Sequence, residues 1–248
     1  SEKIRASGKM QHPYAAAYKA GWNLAEEFVN MFIGHGGEFF KAGTAEPNIN
    51  NAKGVATLNM LKKLASLSNP DYLTHDSEAI KVEWESGKVA LMTLWASRSG
   101  TLLDDEGDAK ITAATKLTGP ATVGGGNIPA ATLWWDGFTL AKNRSDSDAE
   151  ATFIALAHAA SNKKMVADAA DQAVWLVEGF VPGPKSIGVI EAVKMGAKPY
   201  PMLPQMGLMH GALGSEIVEF LQGKESAEQA LKDVEAAYIS KAKEQGFL

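Results

Sequence analysis

Apolar residues recur at helical spacing in four stretches of the chain, each bounded by residues suited to a helix end. In "WNLAEEFVNMFIG", Leu24, Phe28, Met31 and Phe32 fall on one stripe that Gly34 closes. "NNAKGVATLNMLKKLASL" carries Val55, Leu58, Leu61, Leu64 and Ala65 behind an asparagine cap at 50 or 51. "SDAEATFIALAHAAS" opens with Ser147 and Glu150 at capping-box spacing. "SAEQALKDVEAAYISKAKEQG" repeats that spacing with Ser226 and Gln229, then stops at Gly246. Its inward face is Ala227, Leu231, Val234 and Tyr238, while Lys and Glu face water.

Strand patterns are fewer. "KVALMTLW" (88–95) is a short, nearly unbroken apolar run after Gly87, as expected of a strand buried on both faces. "AATLWWDGFTLAK" (130–142) is a second, and "AKITAATKL" (109–117) a weaker third. Helices separated by isolated strands predict an α/β protein. Gly and Pro concentrate in 117–129 and 179–186, and these stretches bracket a block of one strand and two helices. They read as crossings between two lobes. The opening "EKIRASGKM" reads as the end of a helix running to Gly8, so the sequence looks as if it starts midway through something longer.

Composition narrows the function classes. The chain has 248 residues, 46% of them hydrophobic, enough for one large domain or two small ones with a buried core. A net charge of −5, with no basic tract, argues against a nucleic-acid partner. The absence of cysteine excludes disulfides, thiolate metal sites and a Cys nucleophile, and fits the cytosol or a bacterial periplasm. No apolar run approaches the ~20 residues of a membrane helix.

Catalytic motifs fail one by one. "GHGGEFF" (34–40) nearly spells the GG(D/E)EF turn of nucleotidyl cyclases. It offers only Glu38 where such a two-metal site needs adjacent carboxylates, and it follows a helix where that turn joins strands; it reads as a helix C-cap. The five histidines (12, 35, 75, 158, 210) show no close pair, so no metal site is expected. "ASRSG" lacks the first glycine of a nucleophile elbow. "GGGNIP" has no following lysine or helix cap to make a phosphate loop. "DDEGD" (104–108) places Gly107 at the wrong offset for calcium and reads as a solvated loop.

Tryptophans stand out instead. Trp84 and Trp175 fit inside apolar stripes. Trp22 follows Ala20-Gly21, Trp95 ends an apolar strand before "ASRSG", and Trp134-Trp135 precede Asp136-Gly137. An indole beside Asp, Arg or Gly at an element's end can stack on the C–H face of a sugar whose hydroxyls those polar groups bind. Packing alone remains open for each ring.

At "WESGKVALMTLW", "WWDGFTLAK" and "PMLPQMGLMHGALGSEIVEFLQGKESAEQALKDVEAAY" the sequence resembles the extracellular solute-binding proteins of bacterial ABC importers, family 1, the sugar-binding group that includes maltose-binding protein. The ordered series of motifs covers nearly the whole chain. The resemblance implies an α/β fold, a periplasmic binding protein type II-like C-terminal lobe plus the returning segment of an otherwise missing N-terminal lobe. Residues 1–116 and 184–248 would form the C-terminal lobe and 117–183 the returning segment. The βα series that opens such proteins has no counterpart here, so the strand at 130–142 would need partners from elsewhere.

The resemblance also implies a binding function without catalysis or cofactor. A carbohydrate or polyol would be captured between lobes, with a membrane permease as partner, in the periplasm or extracellularly, by a protein monomeric at full length. Trp95 matches the family's aromatic platform, and Arg98 would donate to hydroxyls. His210 stands after "PQMGLM" where a family aromatic stacks; a histidine there stacks less and donates more. Trp135, Asp136 and Gly137 would serve the opposing lobe, with Trp22 and Tyr14 as further candidates. Plainer readings stay open: a backbone-bonded His210, a surface ion pair at Arg98, a turn at Asp136. So do a glycan-active enzyme, which needs two carboxylates across a cleft, and a protein-interaction module.

Overall fold

The computed structural model describes residues 1–104 and 107–248, so Asp105 and Glu106 of the loop expected at 104–108 lie outside the described residues. In chain order the helices are α1 (Glu2–Ala6), α2 (Trp22–Gly34), α3 (Ala52–Ala65), α4 (Ser77–Glu85), α5 (Ala96–Ser99), α6 (Ala109–Ala114), α7 (Asp146–Ser161), α8 (Lys163–Asp168), α9 (Ile187–Lys194), α10 (Met206–Leu221) and α11 (Ala227–Glu244). Among the described residues, four strands of two residues each accompany them: β1 (Tyr14–Ala15), β2 (Leu91–Met92), β3 (Thr132–Leu133) and β4 (Lys198–Pro199).

The core is a packed group of helices, α2, α3, α10 and α11. On α2 the buried set is wider than one stripe: Leu24, Ala25, Phe28, Val29, Phe32 and Ile33 are all sealed. The reason is position, because α2 packs against both α3 and α10. Close approach at two glycines lets these layers meet. A Cβ on Gly54 of α3 would stand 2.1 Å from the Ile49 carbonyl oxygen and 2.9 Å from Leu231 of α11. A Cβ on Gly214 of α10 would stand 2.4 Å from the carbonyl oxygen of Gly21, just before α2. Asn51 caps α3 by accepting from the Lys53 and Gly54 N–H groups, and Ser226 caps α11 by accepting from Gln229 N–H. On α11, Ala227, Leu231, Val234 and Tyr238 are buried, as the pattern predicts.

The "GHGG" stretch is a helix terminator. Gly36 N–H donates to Ile33 O at 2.8 Å and Gly37 N–H to Phe32 O at 2.8 Å, with Gly36 at φ 70°. This is a Schellman motif, and it satisfies carbonyls the helix end leaves free.

Strand expectations need correction. The run 88–95 pairs over two residues only, parallel to β1 with Tyr14 opposite Leu91 and Ala15 opposite Met92. No layer covers both faces of this pair: Leu91 is exposed and Met92 half-buried. The run 130–142 likewise pairs only at β3, parallel to β4, with Thr132 opposite Lys198 and Leu133 opposite Pro199. Residues 109–117 are not a strand. Asp108 caps α6 there through Lys110 N–H, and without a partner strand the Ala-rich segment satisfies its backbone internally. The cap of α7 is Ser145, accepting from Asp148 N–H, rather than Ser147.

The glycines of 124–126 form a closed turn. Thr122 bridges Pro129, Gly126 N–H donates to Val123 O, and Val123 with Ala130 presses on Gly34 at the end of α2. Beyond it the chain loosens: α7 buries none of its residues.

Candidate ligand-binding site

Five rings from separate parts of the chain converge where α2 starts. Trp22 is the first residue of α2, Trp95 immediately precedes α5, Trp134 follows β3, Tyr200 follows β4, and His210 lies in the second turn of α10. Ring centroids lie 5.3 Å apart for Trp22–Trp95, 5.9 Å for Trp22–Trp134, 6.2 Å for Trp95–Trp134 and 4.8 Å for Trp22–His210. Tyr200 closes the group at 4.2 Å from Trp134 and 5.8 Å from His210. The β3–β4 ladder holds Tyr200 beside Trp134, since Tyr200 N–H donates to Leu133 O at 3.1 Å.

The arrangement has a sealed base and an open face. His210 is 3% exposed, whereas Trp22 is 52% and Trp134 41% exposed. His210 Nε2 lies 3.0 Å from the Trp22 carbonyl, which only accepts, so Nε2 carries the proton. Nδ1 then accepts from the Tyr200 hydroxyl at 3.0 Å. Burial holds His210 below the ordinary histidine range, against the opposing bond to Trp22, and keeps the ring neutral. Tyr200 is pushed up by burial and by the nearby charge of Glu26. The histidine thus ties α10 to α2 by backbone bonding while presenting its ring to Trp22.

Polar support comes from one line of α2. Residues 22, 26 and 30 share a face at i, i+4, i+8 spacing. Glu26, 1% exposed, receives the Thr132 hydroxyl at 2.7 Å and lies 3.3 Å from Trp134 Nε1. Trp134 Nε1 also donates to Thr132 Oγ1 at 2.8 Å. Among the described residues Glu26 Oε2 has no hydrogen-bond partner.

Of the residues singled out in the sequence, Trp22, Trp95 and His210 come together. The others stand apart. Trp135 follows Trp134 beyond the end of β3, is 63% exposed and lies outside the ring cluster. Asp136 and Gly137 follow it in exposed, irregular chain. Arg98 pairs with Glu78 on the surface. Tyr14 is buried, its hydroxyl 2.8 Å from Thr93 Oγ1, and burial pushes its ionisation up. Tyr200, Thr132 and Glu26 carry no such expectation, and of the Trp134–Trp135 pair the expectation falls on Trp135 while the cluster takes Trp134. Glu26 had one legible signal, its place one turn below Trp22. Tyr200, between Pro199 and Pro201, had none.

No family model matches the chain, and no curated protein matches it by sequence. Solved structures do. An ABC transporter solute-binding protein from Agrobacterium radiobacter K84, in complex with ribitol, superposes with a TM-score of 0.75 at 19% identity over 95% of this chain and 61% of its own. Maltose-bound MalE3 of T. maritima gives 0.75 at 17%, over 96% and 62%. An ABC transporter solute-binding protein from Agrobacterium vitis S4 with bound D-mannitol gives 0.71 at 16%, over 99% and 64%. This chain therefore spans less than two thirds of the length of each. What the likeness establishes is the fold: that of the ABC transporter solute-binding proteins, periplasmic binding protein type II-like.

Proposed function

We propose that this chain belongs to the substrate-binding component of an ABC importer and captures a carbohydrate or polyol, without catalysis. The observation that carries the reading is the wall of Trp22, Trp95 and Trp134, three indoles from separate elements, with Trp22 and Trp134 exposed and Trp95 half-buried. Sugars and polyols present C–H surfaces that pack on such rings, which hold their geometry at low entropic cost. The fold supports the same reading, since neighbours at TM-scores of 0.71 to 0.75 hold ribitol, maltose or D-mannitol.

In this reading residues 1–116 and 184–248 form one lobe, and 117–183 belong to the lobe facing it. The exposed apolar side chains of Trp135, Phe138, Phe153 and Ile154 suit an inner surface of that second lobe. Ligand draws the lobes together by a hinge, and the closed form docks on a membrane permease in the periplasm, as a monomer. No helix of the described residues is long and apolar enough to cross a membrane.

Calorimetry with ribitol, D-mannitol, maltose and maltotriose, alongside tryptophan emission, tests the reading. Saturable binding of one of them with an emission change is expected, and Trp22→Ala or Trp95→Ala should abolish it. Silence across the panel, or conversion of a bound sugar to product, would overturn it.

A further inference from the structure

Behind the indole wall lies a small network in which protons are scarce. Thr132 Oγ1 is 2.7 Å from Glu26 Oε1 and 2.8 Å from Asn30 Oδ1, and its hydroxyl has one proton to give. Trp134 Nε1–H is shared between Thr132 Oγ1 at 2.8 Å and Glu26 Oε1 at 3.3 Å. If Glu26 is ionised, its carboxylate takes the Thr132 proton, and Asn30 Oδ1 loses that donor. If Glu26 is protonated, it donates to Thr132, Thr132 turns its own proton to Asn30, and Trp134 bonds Thr132 alone. One proton on Glu26 therefore redirects two hydrogen bonds, one of them on an indole of the ligand wall.

We propose that Glu26 is a positioning residue whose protonation state sets how Trp134 is held, so that the wall responds to pH; the effect on ligand rests on the sugar-binding reading above. Burial pushes Glu26 up to about 7, against hydrogen bonds from Thr132 and Trp134 that favour the anion. Glu27, next to it on α2, is also raised, by burial and by Glu26. From the β4 side the Tyr200 phenol faces Glu26, and beyond it neutral His210 of α10. These groups place no cation against the carboxylate. A carboxylate at the indole N–H also enriches the ring's π face, so the ionised form is the better platform for C–H groups.

The test begins without ligand. Tryptophan emission followed from pH 5 to 9 should show a transition near neutrality. It should vanish in Glu26→Gln and persist in Glu27→Gln. A transition that survives Glu26→Gln, or wild-type emission flat with pH, overturns the proposal. Should Glu26→Gln not fold, Trp134→Phe removes the indole that touches the carboxylate and leaves the carboxylate in place. Carbon NMR of labelled glutamate should then still show a carboxyl titrating near neutrality while emission no longer follows it; emission that still follows counts against the relay. D-mannitol or maltose affinity in the wild type should fall about threefold or more from pH 8 to pH 6, roughly 0.65 kcal/mol by the usual conversion, and stay level in Glu26→Gln. Affinity level with pH in the wild type overturns the link to ligand. No binding of any sugar or polyol, with the emission transition intact, sinks the functional reading and leaves the network standing.

Discussion

Two helices of similar length show what a hydrophobic pattern does and does not decide. On α10, Met209, Leu213 and Ile217 are fully buried between α2 and α11. On α7, Phe153 and Ile154 are 63% and 59% exposed, and no residue is buried. The difference is the presence of a layer to pack against. α10 has neighbours on two sides, while the principal neighbour of α7 is the short α8. Helical stability on α10 comes from tertiary burial, and on α7 from local bonds such as the Ser145 cap.

The sharpest way to break the comparison is to remove a phenylalanine from each region. Phe28→Ala, in the sealed face of α2, should cost about 3–5 kcal/mol in urea unfolding, because transfer and cavity terms add in a packed core. Phe153→Ala on α7 should change stability by no more than about 0.5 kcal/mol, as for other exposed positions. Equal losses would mean that α7 is buried in solution.

Next in size is the response to pH. Glu26 sits at about 7 folded against 4.5 for the free side chain, so the native state holds its proton more tightly. The sign follows: this stabilisation is complete below about pH 4.5 and is lost as pH rises through 7. A shift of that size corresponds to at most about 3 kcal/mol, and Glu26→Gln should flatten the decline. His210 acts in reverse, since burial lowers it and stability falls as acid charges the ring. Melting temperature from pH 4 to 9 reads both. A wild-type profile that coincides with that of Glu26→Gln between pH 5 and 8 would contradict the burial of Glu26.

A third test contrasts adjacent residues. Trp134→Ala should weaken sugar or polyol binding about tenfold, near 1.4 kcal/mol, whereas Trp135→Ala should leave it unchanged. The reverse order would move the site to the exposed ring of Trp135.

How much was legible in the sequence follows from the same physics. The core stripes of α2, α3 and α11 and the caps at Asn51 and Ser226 could be read because period and end chemistry are local. Strand extents could not, since a ladder requires a partner and the sequence does not state where one ends. β3 shrank to Thr132–Leu133 for that reason. Trp134 and Trp135 are adjacent in the sequence, and which of the two met α2 depended on β3 docking beside Glu26 and Asn30. Arg98 met Glu78, a residue of α4 that no local spacing links to it.

The smallest effect separates the regions most cleanly, because it uses the same chemistry in both. Ser226 and Ser145 each cap a helix by accepting one backbone N–H, from Gln229 and Asp148. Replacing such a cap with alanine costs about 1 kcal/mol of helix stability. In α11 that helix is part of the core, so Ser226→Ala should shift the urea midpoint of the whole molecule by that amount. In α7 the helix lends nothing to the core, so Ser145→Ala should lower helical ellipticity before unfolding and leave the midpoint where it was. An equal midpoint shift from both variants would show α7 folding as one unit with the core; its exposed Phe153 and Ile154 would then face a surface that cooperates in folding.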